Sequence, residues 1–191
     1  SINVGYFSIA IIFPNLLLII PNQISALLYP VASAIENKVD LINYGGKILR
    51  YVIFFTILLV IIGSILAPFL IPFFYGEKYG VVIPTVYIIL VGILFGGINS
   101  VLLNLLITHG KSKVLLYNAI TIILGIVLFS FLVYLYSFKG TAATFTIINI
   151  LCFSISFSKY KKITNIRLSS LIISGYDIKY LQTKLYNLLK K

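Results

Sequence analysis

The distribution of charged residues constrains this chain more than any other feature. Five stretches contain no Asp, Glu, Lys or Arg, and they cover residues 1–35, 51–76, 79–110, 114–138 and 140–158. The shortest of them has 19 residues. A helix of about 20 apolar residues crosses the roughly 30 Å hydrocarbon core of a bilayer. Each stretch is therefore long enough to be a membrane span.

The composition supports a membrane protein of the helical class. Only 10% of the residues are charged and 60% are hydrophobic, whereas a soluble domain carries about 25% charged residues. The runs are continuously apolar rather than alternating, and a helix satisfies its own backbone in lipid, which favours helices over barrel strands. We predict an all-α, polytopic membrane helical bundle over 1–158. Its five transmembrane helices are expected at about 6–35, 48–72, 84–108, 114–136 and 140–158.

Lysine and arginine are distributed unequally between the two sides of the membrane. With five spans, alternate connections put 13 of the 15 basic residues on one side and 2 on the other. The side rich in Lys and Arg is usually cytoplasmic. We therefore predict a multi-pass protein of the plasma (cytoplasmic) membrane, with residue 1 outside and the C-terminus in the cytoplasm. The lipid bilayer is its first expected partner.

The last part of the chain, 159–191, is a separate basic element. It carries 8 of the 15 basic residues, and a membrane surface explains that placement better than nucleic acid does. Asp177 is a candidate helix cap, and apolar residues recur on one face after it, which predicts a basic amphipathic interfacial helix over 178–191. The alternative is a solvated, frayed terminus. No nucleic-acid partner is expected.

The residues that carry most enzyme chemistry are scarce. The four acidic residues, Glu36, Asp40, Glu77 and Asp177, all lie outside the expected spans, whereas metal and acid–base catalysis need clustered carboxylates or histidines. The single histidine, His109, is expected at the end of span three, and the single cysteine, Cys152, is expected to be a small buried residue. We predict no catalytic residue, no metal, no cofactor and no enzyme activity.

Span one carries the most informative pattern. Phe-Pro-Asn at 13–15 recurs as Ile-Pro-Asn at 20–22, and seven residues are nearly two helical turns, so like residues share a face. The same register joins four polar residues, with Ser25 close by: Ser8, Asn15, Asn22 and Tyr29. Three prolines are candidate kinks: Pro14, Pro21 and Pro30. We predict a bending helix that lines a cavity for substrate, and the alternative is that the polar residues bond across a helix–helix interface.

Span three carries a second and weaker polar stripe. Asn99 and Asn104 lie in it near Ser100 and Thr108, just after the Gly96-Gly97 pair, and we count both asparagines as candidate cavity-lining residues. Glycines allow another helix to approach closely. Among the remaining polar residues of spans three to five, we favour helix packing over substrate contact.

The sequence begins at Ser1 and contains no Met. Since translation starts with Met, we expect a fragment that lacks an N-terminal part of the polypeptide.

Several short segments together resemble segments of one known family of membrane proteins. Residues 4–10 (VGYFSIA), followed by Ile20-Pro21 and by 28–30 (LYP), are similar to the start of the eighth span of that family. Its outer loop before the tenth span is similar to 72–79 (PFFYGEKY) with Pro84, its tenth span to 97–100 (GINS) with Gly110-Lys111, and the opening of its last span to 139–144 (KGTAAT). The family that these segments resemble is the polysaccharide-exporter and O-antigen-flippase branch of the multidrug/oligosaccharidyl-lipid/polysaccharide flippase superfamily. The order and spacing of the segments carry the resemblance, which covers residues 3–158.

The resemblance implies one lobe of a larger transporter. Its members have twelve or fourteen helices in two pseudo-symmetric lobes, so this chain would be most of the C-terminal lobe of a MATE-like flippase, with the N-terminal lobe of the same polypeptide as a partner. Members move lipid-linked oligosaccharides or polysaccharide precursors across the cytoplasmic membrane by alternating access, and the lipid-linked glycan would be the substrate. The alternatives are a multidrug exporter of the same superfamily and an integral-membrane lipid or sugar enzyme.

Overall fold

The computed structural model of the chain describes residues 2–165, and within them it places the side chains of 5–137 and 139–165. The predicted tail beyond residue 165, including the interfacial helix over 178–191, lies outside the described residues. Helix α1 is Ile2–Ser33, α2 is Lys38–Tyr75, a 3-10 turn covers Glu77–Val82, and α3 is Ile83–Thr108. Two further helices follow, α4 at Lys113–Ser137 and α5 at Lys139–Thr164. No strand occurs within 2–165.

Helices α4 and α5 form an antiparallel hairpin that turns at Ser137. This residue has φ 53° and ψ −132°, so the helical backbone is interrupted there. Two contacts between the arms lie far from the turn, near the start of α4 and the end of α5. Lys159 lies over the ring of Tyr117, and Asn118 donates to Ser156.

The coarse prediction of the fold is confirmed. The described chain is helical, and five of its helices are long and apolar enough to cross a membrane. The helix ends differ from the predicted ones most at α2, which begins at Lys38 rather than at 48, because the Asn37 side chain caps it by accepting from the N–H of Val39. Basic residues in these first turns made the segment look like a connection. Helix α5 similarly continues to Thr164.

Helix α3 is the central helix of the bundle. Half of its most apolar window is buried, against 6% for α4, which lies at the periphery. Two apolar clusters stack along it. One includes Leu102 and Tyr160, toward the ends where α3 and α5 finish. The other includes Val86 and Ile93, toward the opposite end.

The helix directions follow from these contacts. Helices α1, α3 and α5 run in one direction, since Ser25 bonds to Asn104 and His109 lies beside Tyr160. Helix α2 runs against them, because a Cβ at Gly45 would lie 2.9 Å from the hydroxyl of Tyr160. The helices α1, α3 and α5 all end on the same side of the bundle. We call this side the lysine-rich end, because Lys111, Lys113, Lys159, Lys161 and Lys162 lie there.

Candidate functional site

The polar register predicted in span one lies on a single exposed face of α1. Ser8, Asn15, Asn22 and Tyr29 are all exposed, and Tyr29 is 44% exposed. Residues 8 and 29 are 21 positions apart, which corresponds to about 32 Å along an α-helix. The face is therefore about as long as the hydrocarbon core is thick.

Two of the three prolines lie on the packed side of α1. Pro14 and Pro21 are buried, whereas Pro30 is exposed. Pro21 packs closely on α3, since a Cβ at Gly97 would lie 3.1 Å from the Cγ atom of its ring. The helix is continuous through all three prolines, and the predicted kinks stay a prediction. The heptad thus places Pro14 and Pro21 on the buried side of α1 and Asn15 and Asn22 on its exposed side.

The exposed face also carries a residue that the sequence pattern did not select. Gln23 is exposed and follows Asn22 directly. It lies outside the seven-residue register, so the repeat did not point to it. The Pro-Asn-Gln run at 21–23 was the available signal, because two adjacent amides are unusual in an apolar span.

Ser25 and Asn104 form a polar contact between α1 and α3. Ser25 is 3% exposed, and its hydroxyl donates to the carbonyl oxygen of Ser100 at 2.8 Å. The Asn104 amide nitrogen donates to the Ser25 hydroxyl oxygen at 2.6 Å and to the Ser25 carbonyl oxygen at 3.1 Å. Both residues therefore serve a helix–helix contact in this conformation. The proposal that they line a cavity stays a prediction.

Asn99 lies inside the bundle, on α3. It is 9% exposed, and its carbonyl oxygen Oδ1 has no hydrogen-bond partner among the described residues. A buried amide oxygen without a partner is costly. Asn99 is therefore a polar position of the core, and it is separate from the exposed face of α1.

Polar residues of α4 and α5 take part in helix packing. The Asn118 amide nitrogen donates to the Ser156 hydroxyl at 3.3 Å, and the Thr146 hydroxyl donates to the Ile88 carbonyl at 2.6 Å. Cys152 is buried, and its thiol is not part of a disulfide. These contacts agree with the interpretation of these side chains as packing residues.

Charged and titratable groups lie at the helix ends. Asp40 is in the first turn of α2 and Glu77 begins the 3-10 turn. His109 follows α3, and partial burial lowers the pKa of its imidazole from 6.5. No group of three or more His, Cys, Asp or Glu residues within 2–165 is placed to hold a metal ion.

The exposed face of α1 offers neutral hydrogen-bonding groups. Amides and hydroxyls both donate and accept, which suits sugar hydroxyls and hydrated headgroups, whereas they do not exchange protons near neutral pH. Comparison of the chain with protein-family models, curated proteins and solved structures finds no match.

Proposed function

We propose that this chain forms one lobe of a flippase that translocates a lipid-linked oligosaccharide or polysaccharide precursor across the cytoplasmic membrane by alternating access. One observation carries the proposal, which is the exposed polar face of α1 defined above by Ser8, Asn15, Asn22 and Tyr29. The resemblance of residues 3–158 to the polysaccharide branch of the flippase superfamily points to the same function.

The free-energy cost of placing polar groups in hydrocarbon makes the exposed polar face of α1 informative. An amide moved into hydrocarbon without a hydrogen-bond partner costs several kcal/mol. Asn15 and Asn22 are exposed at the middle of a helix long enough to span the membrane. Such groups are tolerated against water or against another polar protein surface. We propose that the face lines a hydrated cavity shared with a second helical lobe.

A cavity of this kind lowers the barrier to moving a sugar. The hydroxyls of a glycan exchange water for amide and hydroxyl partners along about 32 Å of helix, rather than entering hydrocarbon unpaired. The prolines of α1 remove backbone hydrogen bonds, which makes bending of this helix less costly. Bending at this helix is the proposed way for the cavity to open to each side in turn.

The basic residues support an orientation for transport. Of the ten basic residues within 2–165, two lie at the end where α3 and α5 begin, namely Lys78 and Lys139. Eight lie at the lysine-rich end or in the adjoining turns of α2: Lys38, Lys47, Arg50, Lys111, Lys113, Lys159, Lys161 and Lys162. We propose that the lysine-rich end faces the cytoplasm, because connections rich in Lys and Arg are usually cytoplasmic.

The test is made in cells that carry the gene encoding this chain. Leucine at both Asn15 and Asn22 removes two amides from the polar face and keeps its size. We expect loss of surface glycan and accumulation of the lipid-linked precursor. Surface glycan is measured by labelling intact cells, and the precursor by mass spectrometry of extracted lipids.

A control places a single polar-to-leucine substitution on another helix. Ser130 is exposed on α4, and its hydroxyl donates only to the carbonyl of Ile126 in its own helix. We expect Ser130→Leu to keep normal surface glycan. Unchanged glycan in the double asparagine variant, together with increased drug sensitivity, would instead identify a multidrug exporter.

A further inference from the structure

A lysine-lined pocket lies at the lysine-rich end, between the start of α4 and the end of α5. Its volume is about 480 Å³, and its lining includes Lys111, Lys113, Tyr117, Lys159 and Lys162. The hairpin brings these residues together, since the two pairs of lysines are almost 50 positions apart in the chain. We call this cavity the lysine pocket.

The pocket concentrates positive charge, and none of its lining residues is acidic. Within 2–165, none of its four lysines has an ion pair. Four like charges around one cavity repel one another. An anion in the cavity converts that repulsion into attraction, so the pocket is electrostatically suited to a ligand with a negative charge.

The pocket also has local features that suit a phosphate group. Lys159 is held over the ring of Tyr117, with its Nζ 4.9 Å from the ring centroid, which restrains the side chain at the mouth. The N-terminus of α4 opens on the same cavity, because Lys113 is its first residue. The N-terminus of a helix carries partial positive charge, which favours phosphate.

The surface below the pocket favours a lipid over a soluble anion. Helix α4 continues from the pocket with exposed apolar side chains, and Leu116, Ile120 and Leu124 are 64%, 54% and 64% exposed. An anionic phospholipid places its phosphate at the helix ends and its acyl chains along such a surface. Basic pockets between membrane helices bind phospholipid headgroups in this manner.

We propose that the lysine pocket binds the phosphate of an anionic phospholipid from the adjacent leaflet, with the acyl chains lying against α4. This site is on the hairpin, away from the polar face of α1. It goes beyond the proposed transport function and does not depend on it, so each can fail without the other.

Native mass spectrometry of the full chain in neutral detergent tests the proposal. Phosphatidylglycerol is titrated against phosphatidylcholine of the same acyl composition, and we expect preferential binding of one phosphatidylglycerol. The pocket variant carries Lys159→Gln and Lys162→Gln. A lysine near an anionic headgroup contributes about 1 kcal/mol, so we expect the double variant to bind phosphatidylglycerol about 25-fold more weakly.

Two matched controls separate the pocket from general surface charge. Lys161 is exposed between the pocket lysines in sequence and does not line the cavity, so Lys161→Gln should keep the wild-type affinity. The variant with Lys159→Arg and Lys162→Arg keeps the charge and should keep binding. Equal losses in Lys161→Gln and the pocket variant, or equal binding of the two lipids, would overturn the proposal.

A competition arm distinguishes a lipid headgroup from free phosphate. Inorganic phosphate in large excess should leave phosphatidylglycerol bound, because the acyl chains contribute to the affinity of the lipid alone. Displacement of the lipid by inorganic phosphate at comparable concentration would show a soluble-anion site and would refute the assignment to lipid.

Discussion

The contact between Ser25 and Asn104 gives a quantitative test of how α1 is attached to α3. Replacing Ser25 with Ala removes two hydrogen bonds, one from its hydroxyl to Ser100 and one from Asn104 to its hydroxyl. Hydrogen bonds between membrane helices contribute about 0.6 kcal/mol on average, with a maximum of about 1.7 kcal/mol. We expect Ser25→Ala to lower the free energy of unfolding by about 1.2 kcal/mol.

The coupling between the two residues is more specific than either single effect. Asn104→Leu removes both hydrogen bonds that the amide nitrogen donates. One of them, the 2.6 Å bond to the Ser25 hydroxyl, is also removed by Ser25→Ala. A double-mutant cycle should therefore give a coupling energy of about 0.6 kcal/mol or more. The free energies are measured by unfolding the purified chain in mixed micelles, with circular dichroism as the signal.

A control pair, whose side chains do not bond to each other, shows how much coupling energy to expect without a hydrogen bond. Ser64 donates to Val60 within its own helix and lies toward the opposite end of the bundle from Asn104. Ser64→Ala and Asn104→Leu should be additive within about 0.5 kcal/mol. If the Ser25 and Asn104 changes are equally additive, the two side chains do not bond, and the attachment of α1 to α3 described above is wrong.

Two further predictions concern the hairpin and the end of α3. Gly140→Ala should destabilise the chain by about 1–3 kcal/mol, because its Cβ would collide with the carbonyl oxygen of Leu132, whereas Gly5→Ala, with nothing within 4 Å, should not destabilise it in the same unfolding assay. The pKa of His109 is lowered from 6.5 by burial, so the unfolded state binds more protons than the folded state as the pH falls below 6.5. The free energy of unfolding should therefore decrease in that direction, and His109→Gln should flatten the dependence. If the free energy of unfolding of His109→Gln depends on pH as strongly as that of the wild type, other groups cause the dependence.

The sequence predicted the helices well because each one depends on a local property. The charge-free stretches located all five helices, since a hydrocarbon core excludes charge from a span of about 20 residues. The same criterion placed the start of α2 too late in the chain. Lys38, Lys47 and Arg50 lie in helical turns that precede the apolar stretch. Charge marks the polar end of a span and does not mark the end of its helix.

Of the candidate site, the sequence predicted only which residues of α1 share a face, because that follows from the periodicity of the helix. The heptad placed Asn15 and Asn22 on one face, and the structure exposes both. Periodicity does not tell which face meets a neighbouring helix, so the sequence left open whether Ser25 lines a cavity or bonds to another helix, as it does to α3. The lysine pocket was hidden for a similar reason, because Lys113 and Lys162 meet only once the hairpin closes.

Thiol labelling along α1 tests the central claim, which is that its polar face borders water within the membrane. The background is Cys152→Ala, which removes the single cysteine, and single cysteines then replace Asn15, Asn22 or, as a control, Val127, which is 70% exposed on α4. Thiols react as thiolates, which form in water and not in hydrocarbon. With a membrane-impermeant maleimide on membranes containing the protein, we expect labelling at positions 15 and 22 and none at 127. Absence of labelling at both α1 positions, with the same chain labelled there after detergent is added, would show that this face borders lipid or a protein surface rather than water, and would contradict the proposal.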